Sequence, residues 1–100
     1  MAEHPIEIPT EEIAAFCQQH QIRSLALFGS VLRDDFGSES DVDVLVEFQP
    51  GAMVGFLALG RMRRELATLL QHPVDLVPKN GLKPKIRDAV LDSAEVLYAI

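Results

Sequence analysis

The stretch LFGSVLRDDFGSESDVDVLVEF, from Leu27 to Phe48, constrains this chain more than any other. Its last eight residues alternate. Val42, Val44, Val46 and Phe48 fall on one face of a strand, and Asp41, Asp43, Leu45 and Glu47 on the other. The valine face requires an apolar layer to pack against, so the strand belongs to a sheet covered on at least one side. The other face holds two carboxylates one pleat repeat apart. At about 4 Å and an effective dielectric of about 20, such a pair repels by roughly 4 kcal/mol, less where solvent screens it. Stability gives no reason to place them there. A divalent cation turns the repulsion into affinity, and Mg²⁺ takes a few carboxylates, keeps several waters and shares phosphate oxygens.

The patterns on either side supply the remaining elements. Thr10 is placed to cap a helix whose first turn holds Glu11 and Glu12, with Ile13, Phe16, Cys17 and His20 at helical spacing. Ile22 to Phe28 reads as a buried strand. Gly29-Ser30 breaks it, Ser30 can cap a short helix from Val31 to about Asp35, and Gly37-Ser38 marks a loop. From about Met53 to Gln71 the pattern is helical, with Met62, Leu66, Leu69 and Leu70 on the apolar side; Gly55 and Gly60 weaken its first half. Val74 to Val77 is a short strand and Asn80-Gly81 a turn. A last helix opens at Lys83 or Pro84 and runs to about Asp92 with Ile86, Val90 and Leu91 inward, and EVLYAI forms an edge strand. The order predicts a single α/β (α+β) domain over residues 1–100, a small mixed β-sheet with helices packed on it.

Bulk properties narrow the function. A net charge of −6 and a pI near 4.9 argue against general binding to nucleic acid backbone, because the chain cannot replace condensed counterions with its own cations. Positive charge is local, at Arg61, Arg63 and Arg64 and between Lys79 and Arg87. The first group reads as a solvated helix face; the second divides evenly between solvent and a partner. The lone Cys17 excludes an intrachain disulfide, and His4, His20 and His72 have no zinc-like spacing. The opening MAEHPIEIPTEE is unlike a signal peptide, and GAMVGFLALG is too short to span a bilayer. A cytoplasmic protein, not associated with membranes, is expected.

Two further features complete a candidate site. Asp75 interrupts the apolar strand Val74-Asp75-Leu76-Val77. If that strand lies beside Asp41–Phe48, Asp75 joins Asp41 and Asp43 in a three-carboxylate cluster, enough to hold two metals for in-line transfer at phosphorus. At the Gly29-Ser30 turn, glycine allows close approach of a ligand, Ser30 offers a hydroxyl, and the following helix N-terminus suits a phosphate. Arg33, one turn on, adds a cation. The turn lacks the Gly-Lys-Ser/Thr of a P-loop. Taken alone, each feature has an ordinary structural explanation as a turn or an exposed strand residue; together they read as a site for a nucleoside triphosphate and metal.

Gly-Ser, a spacer, then Asp-x-Asp on the next strand resembles the signature of the DNA polymerase β-like nucleotidyltransferase superfamily. SDVDVLVEF and HPVDLVPKNGLKPKIRDAVLDSAEVLYAI resemble its minimal branch, the MNT-domain proteins, and the likeness runs from about Ile22 to Tyr98. The resemblance implies the polymerase β-like fold and an Mg²⁺-dependent enzyme with two ions that transfers AMP from ATP. It implies an antitoxin paired in a hetero-oligomer with a HEPN-type toxin, some relatives neutralising the toxin by attaching AMP to a tyrosine. Carried over, Gly29, Ser30 and Arg33 match the nucleotide-binding pattern, Asp41 and Asp43 the metal pair, and Asp75 the third catalytic carboxylate. The family often has Gly after that Arg; here it is Asp34. Two alternatives stand beside this reading: an antitoxin that acts by binding alone, and a nucleotidyltransferase for a small molecule such as an antibiotic.

Overall fold

The computed structural model describes residues 7–29 and 41–100. Ser30 and Arg33, the short helix expected from Val31 and the loop at Gly37-Ser38 lie outside the described residues. In chain order the elements are α1 (Thr10–Gln19), β1 (Ile22–Phe28), β2 (Val42–Phe48), α2 (Phe56–Leu70), β3 (Val74–Pro78), α3 (Pro84–Ser93) and β4 (Glu95–Ala99), with a 3₁₀ turn at Lys79–Gly81 before α3. The strands form one mixed sheet in the order β3-β2-β1-β4. β2 pairs antiparallel with β1 and parallel with β3, and β4 pairs antiparallel with β1. This is the mixed sheet with helices read from the sequence, and β4 lies at an edge as expected.

One face of the sheet carries the core. Leu25 and Leu27 of β1, Val42, Val44 and Val46 of β2, and Val74 of β3 pack with two helices. α1 contributes Ile13, Phe16 and Cys17, and α2 contributes Met62, Leu66 and Leu70. The helical spacing of those residues and the two-residue period of the valines meet at this layer. The opposite face is not uniformly polar. Ala26 and Leu45, paired in register, are also buried, and Val77 follows in the same row. An apolar band thus crosses the middle of the face that holds Asp41, Asp43 and Glu47.

Several boundaries differ from the sequence reading. α1 begins one residue earlier than a Thr10 cap implies. The carbonyl of Pro9 accepts the first helical bond from the Ile13 N–H at 2.9 Å, so Thr10 is already helical and no side chain caps the end. α2 starts at Phe56, not Met53, because Gly55 is extended at the N-cap and its carbonyl accepts the Leu59 N–H at 3.1 Å. In α3, Ile86 and Leu91 do not point inward: they are 50% and 39% exposed, and Val90 alone of the three is half-buried. The apolar spacing is helical, but α3 covers little of the sheet.

The turns before β1 and β3 share a device. Gln21 and Gln71 both hold a left-handed backbone with φ of 58°. Gln71 ends α2, where glycine is the usual residue because a Cβ is strained in this conformation. Gln71→Gly is therefore expected to stabilise the domain by up to about 1 kcal/mol, the relief of strain being partly offset by the greater freedom of glycine in the unfolded chain. Urea unfolding of the two proteins measures it.

Cys17 has no exposed surface, and burial pushes its thiol up to about 12 from 9.0. Between those values the folded chain binds more protons than the unfolded one. This contribution to stability is complete below pH 9 and is lost as pH rises toward 12. Thermal melts from pH 8 to 11 are expected to fall more steeply for the wild type than for Cys17→Ala.

Candidate active site

Hydrogen bonding sets the acidic face before any side chain is considered. β2 and β3 run parallel with Val42 opposite Val74, Asp43 opposite Asp75 and Val44 opposite Leu76. The pairing is extended at its start, where the Val42 N–H donates to the Pro73 carbonyl at 2.8 Å. Paired residues of a parallel ladder point to the same side, so Asp43 and Asp75 share the face opposite the valine core. Asp41, just ahead of β2, lies on that face one pleat repeat away. Asp41 and Asp75 are exposed and Asp43 is half-buried.

Gly29 gives this end of the sheet its shape. It follows β1, whose last residue Phe28 is opposite Asp43. Its φ is +75°, and a Cβ built on it would run into the Asp43 carboxylate, with Asp43 Cγ at 3.1 Å. The sequence pointed to close approach at Gly29. The space a side chain would take there is filled by Asp43, a contact that no motif reveals because it depends on the β1–β2 register.

The carboxylates form a broad surface. Among the described residues, no three acidic, imidazole or thiol groups converge closely enough to enclose one ion. The donor set nonetheless suits Mg²⁺, which commonly binds through one or two carboxylates with substrate phosphates and water completing the shell. Asp43 with Asp41 or Asp75 supplies such oxygens, and neighbouring strands set about 5 Å apart hold them with little freedom to lose.

Glu47 lies on the same face but is otherwise engaged. Its Oε1 accepts a hydrogen bond from Ser24 Oγ at 3.2 Å and one from Lys79 Nζ at 3.4 Å. Lys79 therefore belongs to an ion pair at the far end of the face, while Lys83, Lys85 and Arg87 are exposed. The pairing was missed in the sequence, although Glu47 was on the Asp face. Lys79 follows Pro78, which lies opposite Val46, so only the parallel register brings it to Glu47. Of the described histidines, His20 Nε2 lies 3.3 Å from Glu65 Oε2, and His72 Nδ1 lies 3.1 Å from the Leu70 carbonyl.

Carboxylates at the start of a parallel strand pair can hold a cation against phosphate oxygens. The sequence matches the nucleotidyltransferase domain family over residues 11–97, and the chain belongs to that family. Among its relatives is the protein adenylyltransferase MntA of Thermococcus cleftensis, 34% identical over 96 residues that span 88% of this chain and 93% of that one. Its fold is that of a chain in a crystal structure of a toxin-antitoxin with AMP-PNP, at a TM-score of 0.73 and 20% identity, covering 93% of this chain and 75% of the other. It is also that of a chain in the complex of tri-AMPylated Shewanella oneidensis HEPN toxin with MNT antitoxin, at a TM-score of 0.65 and 20% identity, covering 91% and 70%. The polymerase β-like nucleotidyltransferase fold expected from the sequence is thus the fold found. Among the described residues, no helix is long and apolar enough to cross a membrane.

The Gly29 geometry is open to test. Gly29→Ala adds a Cβ to a left-handed backbone and sets it against the Asp43 carboxylate. A loss of about 1–3 kcal/mol in urea unfolding is expected. Part of that loss should return when Asp43→Ala is combined with it, and a double-mutant cycle reads the coupling.

Proposed function

We propose that this chain transfers AMP from ATP to a hydroxyl of a partner protein, that the partner is a HEPN-type toxin, and that the transfer makes the chain its antitoxin. The observation that carries the reading is the register of β2 with β3, which sets Asp43 beside Asp75 with Asp41 on the same face, in a chain of the nucleotidyltransferase family. The relative named a protein adenylyltransferase supports the reaction type. The HEPN toxin and MNT antitoxin solved together support the kind of partner.

In this proposal Gly29, Ser30 and Arg33 hold the terminal phosphates of ATP, leaving the α-phosphorus over the carboxylate face. Asp41 and Asp43 would hold Mg²⁺, with phosphate oxygens and water completing its shell. Bound Mg²⁺ offsets the negative charge of the phosphates and of the departing pyrophosphate. Asp75, on a different strand from the other two, accepts a hydrogen bond from the acceptor hydroxyl and orients it. The hydroxyl oxygen, a tyrosine oxygen in this reading, bonds to the α-phosphorus as the bond to pyrophosphate breaks, and the hydroxyl proton leaves through Asp75 to solvent. Preorganised carboxylates on paired strands favour such a step because little reorganisation accompanies it.

The test uses the toxin encoded beside this chain, MgCl₂, and ATP labelled at the α or the γ position. Label on the toxin from α-labelled ATP alone is expected. Asp75→Asn should lower the rate on the order of 100-fold or more while ATP still binds, as for a group that acts chiefly in the transition state. Label from γ-labelled ATP alone would make the protein a kinase, and a toxin silenced without label would make it an antitoxin that acts by binding.

A further inference from the structure

At the opposite end of β2 from the carboxylates, the outer surface of α2 breaks the usual pattern. A surface helix keeps its outward face polar. Here Met53 in the preceding loop is 95% exposed, and Phe56 and Leu57 in the first turn are 94% and 87% exposed. Isolated exposed apolar residues are ordinary; three large ones together, almost fully exposed, mark an interaction surface. Their neighbours in sequence, Val54 and Leu59, line a cavity of about 410 Å³ between the end of β2 and the start of α2, together with Phe48, Pro78 and the Glu47–Lys79 pair.

The charge around the patch selects its occupant. α2 has no acidic residue in its first turn, and Gly55 at the N-cap has no side chain to offer the free N–H groups. Arg61 and Arg64 follow Leu57 at helical spacing, and Arg61, Arg63 and Arg64 are all exposed. Glu47 in the cavity is paired with Lys79, so the unbalanced charge on this helix face is that of the exposed arginines, on a chain whose net charge is −6. A second copy docked patch to patch would bring two such helix starts together, with like charge facing like. An anionic bilayer would meet the arginines but also the negative remainder of the chain, and a flat surface does not fill a cavity.

We propose that Met53, Phe56 and Leu57, with the cavity beside them, dock a partner protein that presents an apolar ridge edged with carboxylates. This surface rests on the functional reading above: the occupant is the protein that receives the nucleotide. The seven residues of β2, at about 3.3 Å each, separate the patch from the acidic face by roughly 20 Å. The acceptor is thus held at one end of the strand and modified at the other, which a folded protein can span and a small acceptor cannot.

Calorimetry without ATP or Mg²⁺ tests this, with the toxin encoded beside this chain as the probe. Phe56→Asp combined with Leu57→Asp, and separately Arg61→Glu combined with Arg64→Glu, are each expected to weaken binding roughly tenfold or more. Because all four side chains are exposed, both variants should melt near the wild type. Sedimentation should show the isolated wild-type chain as a monomer, and it should not bind vesicles containing phosphatidylserine. A toxin that is labelled from ATP yet bound equally by wild type and both variants would overturn the docking surface and leave the functional reading intact. So would a wild-type dimer that Phe56→Asp separates, or vesicle binding that the same variant abolishes. A toxin neither bound nor labelled by the wild type overturns the functional reading, and the surface with it.

Discussion

The parallel pairing of β2 with β3 is the interaction on which the rest of the domain depends. It sets Val42 and Val44 beside Val74 and Leu76 on the core side, where α1 and α2 cover them. The same hydrogen bonds set Asp43 beside Asp75 on the other side. A strand has a period of two residues, so one register decides both faces at once. Burial of the valines favours that register by the area they remove from water, on the order of 25 cal/mol per Å². Asp43 and Asp75 are like charges at paired positions, and their mutual repulsion does not favour that register. The apolar face of the ladder therefore holds the acidic face in place.

The junction at Gly29 joins this arrangement to β1. Antiparallel pairing brings the end of β1 to Asp43, and glycine's missing side chain lets the carboxylate lie against the backbone. The acidic face is thereby bounded by β3 on one side and by a turn of positive φ on the other. The apolar row of Ala26, Leu45 and Val77 separates it from the Glu47–Lys79 pair. Asp43 thus lies between Phe28 of β1 and Asp75 of β3, with its carboxylate against the backbone of Gly29.

Much of this was legible in the sequence because it was written in periods. The alternation of DVDVLVEF separated core from acidic face, and β1 carried through at the expected bounds. Helical spacing identified Ile13, Phe16 and Cys17, and Met62, Leu66 and Leu70. What escaped depended on neighbours in space. Glu47 and Lys79 are far apart in the chain and meet only through the β2–β3 register. The contact of Gly29 with Asp43 requires the β1–β2 register. Ile86 and Leu91 had the spacing of a packed helix, but spacing does not say whether a partner layer is present. The helix starts at Thr10 and Phe56 were misplaced because Pro9 and Gly55 took the cap positions, and a carbonyl at that position needs no side chain to begin the ladder.

The strand order β3-β2-β1-β4 bears on how the chain finds its fold. β1 and β2 are close in sequence, β3 joins after the whole of α2 has been traversed, and β4 closes on β1 from near the opposite end of the chain, with Leu27 against Glu95. Loops close more slowly as they lengthen, and parallel pairs across a helix are among the slower contacts to form. Asp75 is brought beside Asp43 only by the crossover through α2. The pairing that sets Asp75 beside Asp43 also sets Val74 beside Val42 in the core, so this acidic pair exists only in molecules that have closed that part of the core.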